Sequence, residues 1–401
     1  MGPLAGVRVL AFTTGAAGPT VAKQLGEFGA QVINVESRRH PDTHRGGANQ
    51  ARWNVSPTYI KLHRNKLSFT VNMTTEAGRE LVARLVRVSD VVLDNFSLGV
   101  MRRWGFDYEH LRRIRPDIIA ISLKGLGSTG PHAHYVTWGP NLTALFGLTH
   151  LWNHPGAPQP TAEARAQHPD FMSGVSGAFA VMAALIHRQK TGEGQFIDGA
   201  QVEAGAGLLG PFYMEHTLNG TSPQPQGNRH PAAAPYGAYR CRDGDRWCTI
   251  AVYTDGDWAR FRRALGDPAW AAEARFQTLL GRLRHRAELD ALVESWTAQH
   301  DAYEVMRVLQ AAGVEAGVVQ DVEDQFERDE QYSARGFLVE LREPELGPLV
   351  TEGVPIHLSD TPGAVRTHAP LLGEHTEQVC RDVLGLTDEE IGYLAEQKVL
   401  Y

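Results

Sequence analysis

Short apolar runs alternate with amphipathic stretches along the first third of the chain. Val7–Phe12 is apolar and β-rich. A small-residue turn, Gly15-Ala16-Ala17-Gly18-Pro19, leads into a helical stretch, "TVAKQLGEFGA", and Gln31–Glu36 is a second apolar run. Strand, turn, helix and strand in that order predict a parallel sheet with helices on its faces. The pattern resumes after an irregular segment. Leu67–Met73 predicts a third strand, and Leu81, Leu85 and Val86 recur at helical spacing behind a threonine cap. Val91–Phe96 and Ile118–Gly125 predict a fourth and a fifth strand. Right-handed connections between such strands give an open, doubly wound, Rossmann-like α/β domain.

The stretch after Asp170 breaks this rhythm. From Phe171 to Ile186 every residue is small or apolar and none is charged, which predicts a buried helix. The run reads as too short and too rich in small residues to span a membrane. Further on, "TSPQPQGNRHPAAAP" (Thr221–Pro235) has the composition of a linker, and "YGAYRCRDGDRWCTIAVY" predicts a hairpin around Asp243-Gly244. Helical patterns follow, and the tail from Arg335 mixes short strands with a terminal helix. The expected organisation is a large domain over 1–224, a smaller α+β domain over 225–330, and a C-terminal segment over 331–401 that returns to the large domain.

Composition narrows the function classes. A net charge of -7 speaks against nucleic acid or an anionic membrane as the main partner. Cys241, Cys248 and Cys380 show no CxxC spacing, so neither a disulfide framework nor a metal site is expected, and a reducing cytoplasm fits. The start "MGPLAGVRVLAF" lacks the apolar run of a secretion signal. His132 and His134 have strand-like ligand spacing, but no acidic or cysteine companion stands beside them.

Ligands of an open parallel sheet bind beyond the carboxyl ends of its strands. The loops at that edge bring together Gly15 to Pro19, Arg38 and Arg39, Asn95 and Phe96, Arg102 and Arg103, and Lys124, with Arg64 and Lys66 just before the third strand. Glycine-permitted backbone approach, a helix N-terminus and several cations suit a phosphorylated ligand. The turn is neither GxGxxG nor GxxxxGK[ST], so no standard dinucleotide or nucleoside triphosphate fingerprint is present.

"LAGVRVLAFTTGAAGPTVAKQLGEFGAQVINVES", "HRNKLSFTVNM", "VVLDNFSLGVMRRWGFDYEHLRRIRPDIIAISLKGLGSTGP", "ALIHRQKTGEGQFIDGA" and "GNRHPAAAPYGAY" carry a resemblance over nearly the whole chain. They are similar to the family III CoA-transferases (the CaiB/BaiF family), relatives of formyl-CoA transferase, carnitine CoA-transferase and α-methylacyl-CoA racemase. The resemblance implies an interlocked, ring-like homodimer, with coenzyme A and acyl-CoA as substrates and no permanently bound cofactor. It maps CoA contacts onto Ala16, Ala17, Arg38, Lys66, Asn95, Phe96, Arg103 and Trp104, and the catalytic aspartate onto Asp170. Formyl-CoA transferase has glutamine where Ala16 stands, so only a backbone role carries over there.

The implied chemistry is acyl transfer through aspartyl anhydride and aspartyl-CoA thioester intermediates. Pro169 suits a first helical turn because it lacks the N–H that would be orphaned there. Asp170 would then sit where exposed N–H groups and the helix dipole favour a carboxylate anion. Two alternatives stay open. An acyl-CoA racemase needs an acid/base pair, and the racemase branch has a histidine where this chain has Gly139-Pro140-Asn141. His134, His150, His154 and His168 lie nearby in sequence. A CoA-binding subunit of a heteromeric transferase is the other reading. Trp138, Phe146, Trp152 and Phe171 could line an apolar acyl pocket for a bulky or branched acid, a dicarboxylate among them.

Overall fold

The structure, a computed structural model, describes residues 2–46, 53–157 and 168–400. In chain order the first elements are β1 (Arg8–Phe12), α1 (Ala17–Glu27), β2 (Gln31–Glu36), α2 (Pro57–His63), β3 (Lys66–Thr70), α3 (Glu76–Arg87) and β4 (Val91–Asp94). There follow α4 (Val100–Trp104), α5 (Tyr108–Ile114), β5 (Ile119–Lys124), α6 (Gly139–Leu145), α7 (Leu148–Leu151), α8 (His168–Thr191), β6 (Phe196–Ala200), α9 (Gln201–Ala206) and α10 (Gly210–Asn219). Strands β1 to β6 form one parallel sheet in the order β3-β2-β1-β4-β5-β6. The five strands expected from sequence are all present: β2 has the expected bounds, β3 starts one residue earlier and ends three earlier, and the other three lose one or two residues. The sixth is not among the expected strands. Its sequence, "FIDGA", is short and ends in small residues.

Alternating strand residues fill two cores. Leu10, Phe12, Ile33, Phe69 and Val92 face α3, α5 and C-terminal residues such as Val379 and Ile391. Val9, Ala11, Val91, Ile119 and Ile121 face α1 and α8. Thr75 caps α3, its hydroxyl accepting the Gly78 N–H at 3.1 Å, as the sequence pattern predicts.

Backbone contacts group the described residues into two compact units, one of 2–46, 53–148, 168–222 and 331–400, the other of 149–157 and 223–330. The second unit has its own three-stranded antiparallel sheet, β7 (Tyr236–Arg240), β8 (Trp247–Ala251) and β9 (Glu315–Val318), over a core that includes Trp258, Phe261 and Leu309. Its hairpin turns at Asp243 and Gly244, both with positive φ, as expected. In the first unit the tail forms an antiparallel pair, β10 (Leu338–Glu343) and β11 (Gly347–Glu352), and ends in the helix Asp388–Glu396.

Helix α8 corrects two expectations. It runs for 24 residues and, by length and composition alone, could cross a membrane. The helix continues beyond the apolar run through "HRQKT", so the run alone understates its length. Nor is it buried all round. Gly174, Gly177, Ala178, Val181 and Ala184 pack inward, while Val175, Phe179, Met182 and Ile186 are exposed, Phe179 to 70%.

Candidate active site

Strand order reverses between β1 and β4, with β2 and β3 on one side and β5 and β6 on the other. Loops diverge at such a switch point and leave a crevice. Here Asn95 ties the two sides together: its Oδ1 accepts the Thr14 N–H at 2.9 Å and its Nδ2 donates to Thr14 O at 2.7 Å. Gly15 turns the chain with φ +71°, and Gly18 lets α1 approach this clamp, since a Cβ there would lie 2.8 Å from the Asn95 amide. A cavity of about 240 Å³ opens above, walled by Thr14, Gly15 and Ala16 on one side and by Asn95 and Phe96 on another.

Asp170 reaches this cavity from the first turn of α8. It is half-buried, and it is the one carboxylate among the described residues lining the cavity. Burial raises its pKa from the ordinary aspartate range to about 6, against the opposing pull of its own backbone N–H and that of Ala17. The helix-terminus effect expected from sequence thus has the right sign but the smaller magnitude. Ala17 opens α1, whose N-cap Ala16 offers no capping side chain, so the N–H groups at this helix start are free to face the carboxylate. Two helix N-termini therefore converge on one carboxyl group.

Thr43 and His44 line the cavity too, and neither is among the sequence-derived positions. Their segment has no periodicity to read. It is fixed from below: Arg45 donates from Nε and Nη2 to the two carboxylate oxygens of Glu36 at 2.8 Å each and from Nη2 to Pro370 O at 3.2 Å, and Asp42 accepts the His44 N–H at 2.7 Å. His63 lies 3.5 Å from Asp42 and is neutral at neutral pH, since burial, then Lys66, lowers its pKa to about 4. Gln201, the first residue of α9, lines the cavity as well. It escapes sequence reasoning because β6, the strand that delivers it, escapes it.

The other sequence-derived positions divide. Ala16, Asn95 and Phe96 line the cavity with Asp170, and Ala17 faces the carboxylate through its N–H. Trp104 stands edge-on to Phe96, ring centroids 5.8 Å apart, while Arg103 and Arg38 are exposed outside the cavity lining. Lys66 does not line it. It is fully buried, and Nζ donates to Pro19 O in the first turn of α1 at 3.1 Å. Burial lowers its pKa to about 7. Lys124 is at the cavity wall, held by Asp94 and Phe96 O at 3.0 and 3.1 Å.

Of the aromatic residues expected around an acyl group, only Trp138 lines the cavity. Phe146 is buried where a Cβ on Gly205 would meet its ring, Phe171 packs under Lys61 Nζ, and Trp152 is exposed in the second unit. Pro140 stands at the wall where a racemase histidine would be expected. His132 and His134 both pack on the ring of Tyr135, and among the described residues no group of three His, Cys, Asp or Glu side chains is placed to hold a metal ion.

Residues 4–376 match the sequence model of a family described as CoA-transferase family III. A relative from Chloroflexus aurantiacus named succinyl-CoA–D-citramalate CoA-transferase is 32% identical over 398 residues, covering 99% of this chain and 98% of the relative. The succinyl-CoA–L-malate CoA-transferase beta subunit of the same organism is 32% identical over 401 residues, covering 99% of this chain and 98% of that one. Among solved structures, a CaiB/BaiF family protein from Brucella suis is 33% identical, with a TM-score of 0.87 over 95% of this chain and 99% of that chain.

Proposed function

The chain belongs to CoA-transferase family III, and from that premise we propose that it moves CoA from an acyl-CoA donor to a free carboxylic acid with Asp170 as nucleophile. The observation that carries this reading is a single half-buried carboxylate at the switch point of the sheet, faced by the first N–H of α1. The Asp170 carboxylate attacks the donor thioester carbonyl, the C–S bond breaks, and an aspartyl–acyl anhydride forms beside CoA thiolate. The thiolate attacks the aspartyl carbonyl, which releases the donor acid and leaves an aspartyl-CoA thioester. The acceptor carboxylate then attacks that thioester, expelling thiolate, and the thiolate takes the new acyl group from the second anhydride. All three nucleophiles, the Asp170 carboxylate, the CoA thiolate and the acceptor carboxylate, are anions, so no proton has to move. When thiolate adds to the aspartyl carbonyl, charge grows on an oxygen of this group, and the Ala17 N–H beside it is a donor of the kind that stabilises such a transition state.

CoA would lie along the strand-end edge, with Ala16, Asn95 and Phe96 at the reacting end and Arg38, Arg103 and Trp104 beyond. Lys66 supports this edge from beneath α1. The relatives named for succinyl-CoA with citramalate or malate support short dicarboxylic acids as donor and acceptor. A racemase is disfavoured by Pro140 in the wall. The test is trapping. Wild-type protein mixed with succinyl-CoA and then hydroxylamine is expected to carry one modified aspartate, on the peptide holding Asp170. A label on another carboxylate removes Asp170 as the nucleophile, and no label at all overturns the covalent route.

The exposed apolar faces of α8 and α10, which include Phe179, Met182, Met214 and Leu218, support an interlocked homodimer. Sedimentation equilibrium is expected to give twice the chain mass. A monomer at micromolar concentration would refute that assembly, and copurification of a homologous second chain would replace it with a heteromer.

A further inference from the structure

Transfer through an aspartyl anhydride makes negative charge grow on two different oxygens in turn. One belongs to Asp170 itself, and the Ala17 N–H stands beside that group. The other is the carbonyl oxygen of the acyl group. It gains charge when Asp170 attacks the donor thioester, and again when thiolate attacks the second anhydride. A fixed donor aimed at such an oxygen is usually the largest single contribution to acyl transfer. With the Ala17 N–H on the aspartyl side, the acyl oxygen needs a donor from elsewhere on the cavity wall.

Several donors on that wall are already spent. The Asn95 amide uses both its ends on Thr14, and Lys124 Nζ is taken by Asp94, Phe96 O and Ser122. His44 is different. It lines the cavity, is half-buried, and its ring makes no hydrogen bond to any described residue. The ring nitrogens are not sealed inside the protein, so they reach open space, and His44 borders the Asp170 cavity. The backbone that carries the ring is firmly held. The His44 N–H donates to Asp42 at 2.7 Å, the Thr43 N–H donates to the Thr14 hydroxyl at 3.2 Å, and Arg45 is pinned to Glu36 and to Pro370 O. Thr14 is the residue that Asn95 clamps, so the imidazole shares a frame with the switch-point loops. The cavity of about 240 Å³ is below the usual size for a whole drug-sized ligand, so a substrate places only its reacting end there.

We infer that His44 is a second catalytic residue, its imidazole N–H donating to the acyl carbonyl oxygen while Asp170 attacks the carbon. This rests on the transferase reading above and adds a residue to it. A neutral imidazole carries one N–H, which suffices. The oxygen gains charge as the tetrahedral intermediate forms and loses it as the C–S bond breaks and thiolate leaves. The N–H keeps its hydrogen throughout.

The experiment compares wild type with His44→Phe, which removes the donor, and His44→Gln, which supplies another N–H. Steady-state exchange between succinyl-CoA and deuterated succinate is read by mass spectrometry. Rapid-quench mass spectrometry follows the gain of CoA by the protein in a single turnover. His44→Phe should lower kcat by about a hundredfold or more, as loss of one oxyanion donor does, with both KM values within threefold. It should slow the gain of CoA to match, and His44→Gln should stay within tenfold of wild type. Discharge of the aspartyl-CoA thioester by hydroxylamine should keep its wild-type rate in both variants, because that attack falls on the aspartyl carbonyl. Both should melt with wild type, since the ring has no hydrogen bond to lose. A His44→Phe kcat within threefold of wild type overturns the inference. So does a rise in KM with kcat unchanged, which would place the ring on the CoA chain. His44→Gln no faster than His44→Phe also overturns it, as does a discharge slowed as much as the gain of CoA, which would make the residue scaffold. A wild type that gains no CoA fails the transferase reading itself, and this inference with it.

Discussion

Replacing Asp170 with asparagine should abolish CoA transfer while leaving the protein as stable as before or more so. The amide keeps the size and much of the hydrogen bonding of the carboxylate but cannot form the anhydride, and loss of a covalent nucleophile generally costs several orders of magnitude in rate. The stability half follows from the raised pKa. In the folded chain Asp170 titrates near 6, and in the unfolded chain near 3.9. Below about pH 4 both states hold the proton and the carboxyl group costs nothing. As pH rises towards 6 the unfolded chain ionises first, so stability is lost, and above 6 the loss is complete. A pKa raised that far corresponds to on the order of 2–3 kcal/mol. The asparagine variant escapes this penalty, so its advantage over wild type should be near zero at pH 4 and largest at pH 7 and above. The same titration sets the acid limb of wild-type kcat/KM, which should inflect near pH 6 because only the anion attacks. Denaturation at both pH values and a pH–rate profile check these outcomes together. A merely structural aspartate would show the reverse: retained activity and a stability loss.

The sheet was legible because its strands obey a local rule. Val7–Phe12, Gln31–Glu36 and Val91–Phe96 are apolar runs bounded by turns, and burial on both faces is what such runs record. The helix start at Asp170 was legible for a similar reason, since proline and a carboxylate at the head of an apolar run mark it, while the catalytic role of Asp170 came only with the family resemblance. What failed was set by partners distant in sequence. The Asp170 pKa depends on how deeply α1 and α8 enclose it, and no periodicity encodes that. Lys66 reads as an exposed cation in "HRNKLS", yet β3 begins at that residue and carries it beneath Pro19. Thr43 and His44 are held next to Arg45, whose guanidinium reaches Pro370 O at 3.2 Å, in a stretch with no repeat to read. Gln201 was hidden by the small residues that end β6. The apolar run of α8 carried no sign of which face would stay open, because both faces have the same composition.

A close approach between α1 and α8, the two helices whose starts meet at Asp170, gives the second large expected effect. At Gly174 a Cβ would sit 2.6 Å from Cβ and Cγ2 of Thr20 and 3.2 Å from Ala17 O. Thr20 cannot yield easily, because its N–H and its hydroxyl both donate to Ala16 O, at 2.9 and 2.7 Å. Gly177 is nearly as tight, 2.9 Å from Val21 Cγ2. Gly174→Ala must therefore move α1 away from α8. Overpacking of this kind costs about 1–3 kcal/mol, set against a gain of up to about 1 kcal/mol from the better helix former, so a lower melting temperature is expected. The displaced element is the one whose first N–H faces Asp170. A shift of about 1 Å at a catalytic group can cost roughly a hundredfold in rate, so kcat should fall by between tenfold and a hundredfold while the KM for the acceptor changes little. Gly392→Ala in the terminal helix is the control, since a Cβ there meets nothing within 4 Å. It should be neutral or stabilise by about 0.4–1 kcal/mol and leave kcat unchanged. If Gly174→Ala behaved like this control in both melting and turnover, α1 would not be what holds the oxyanion donor against the aspartate.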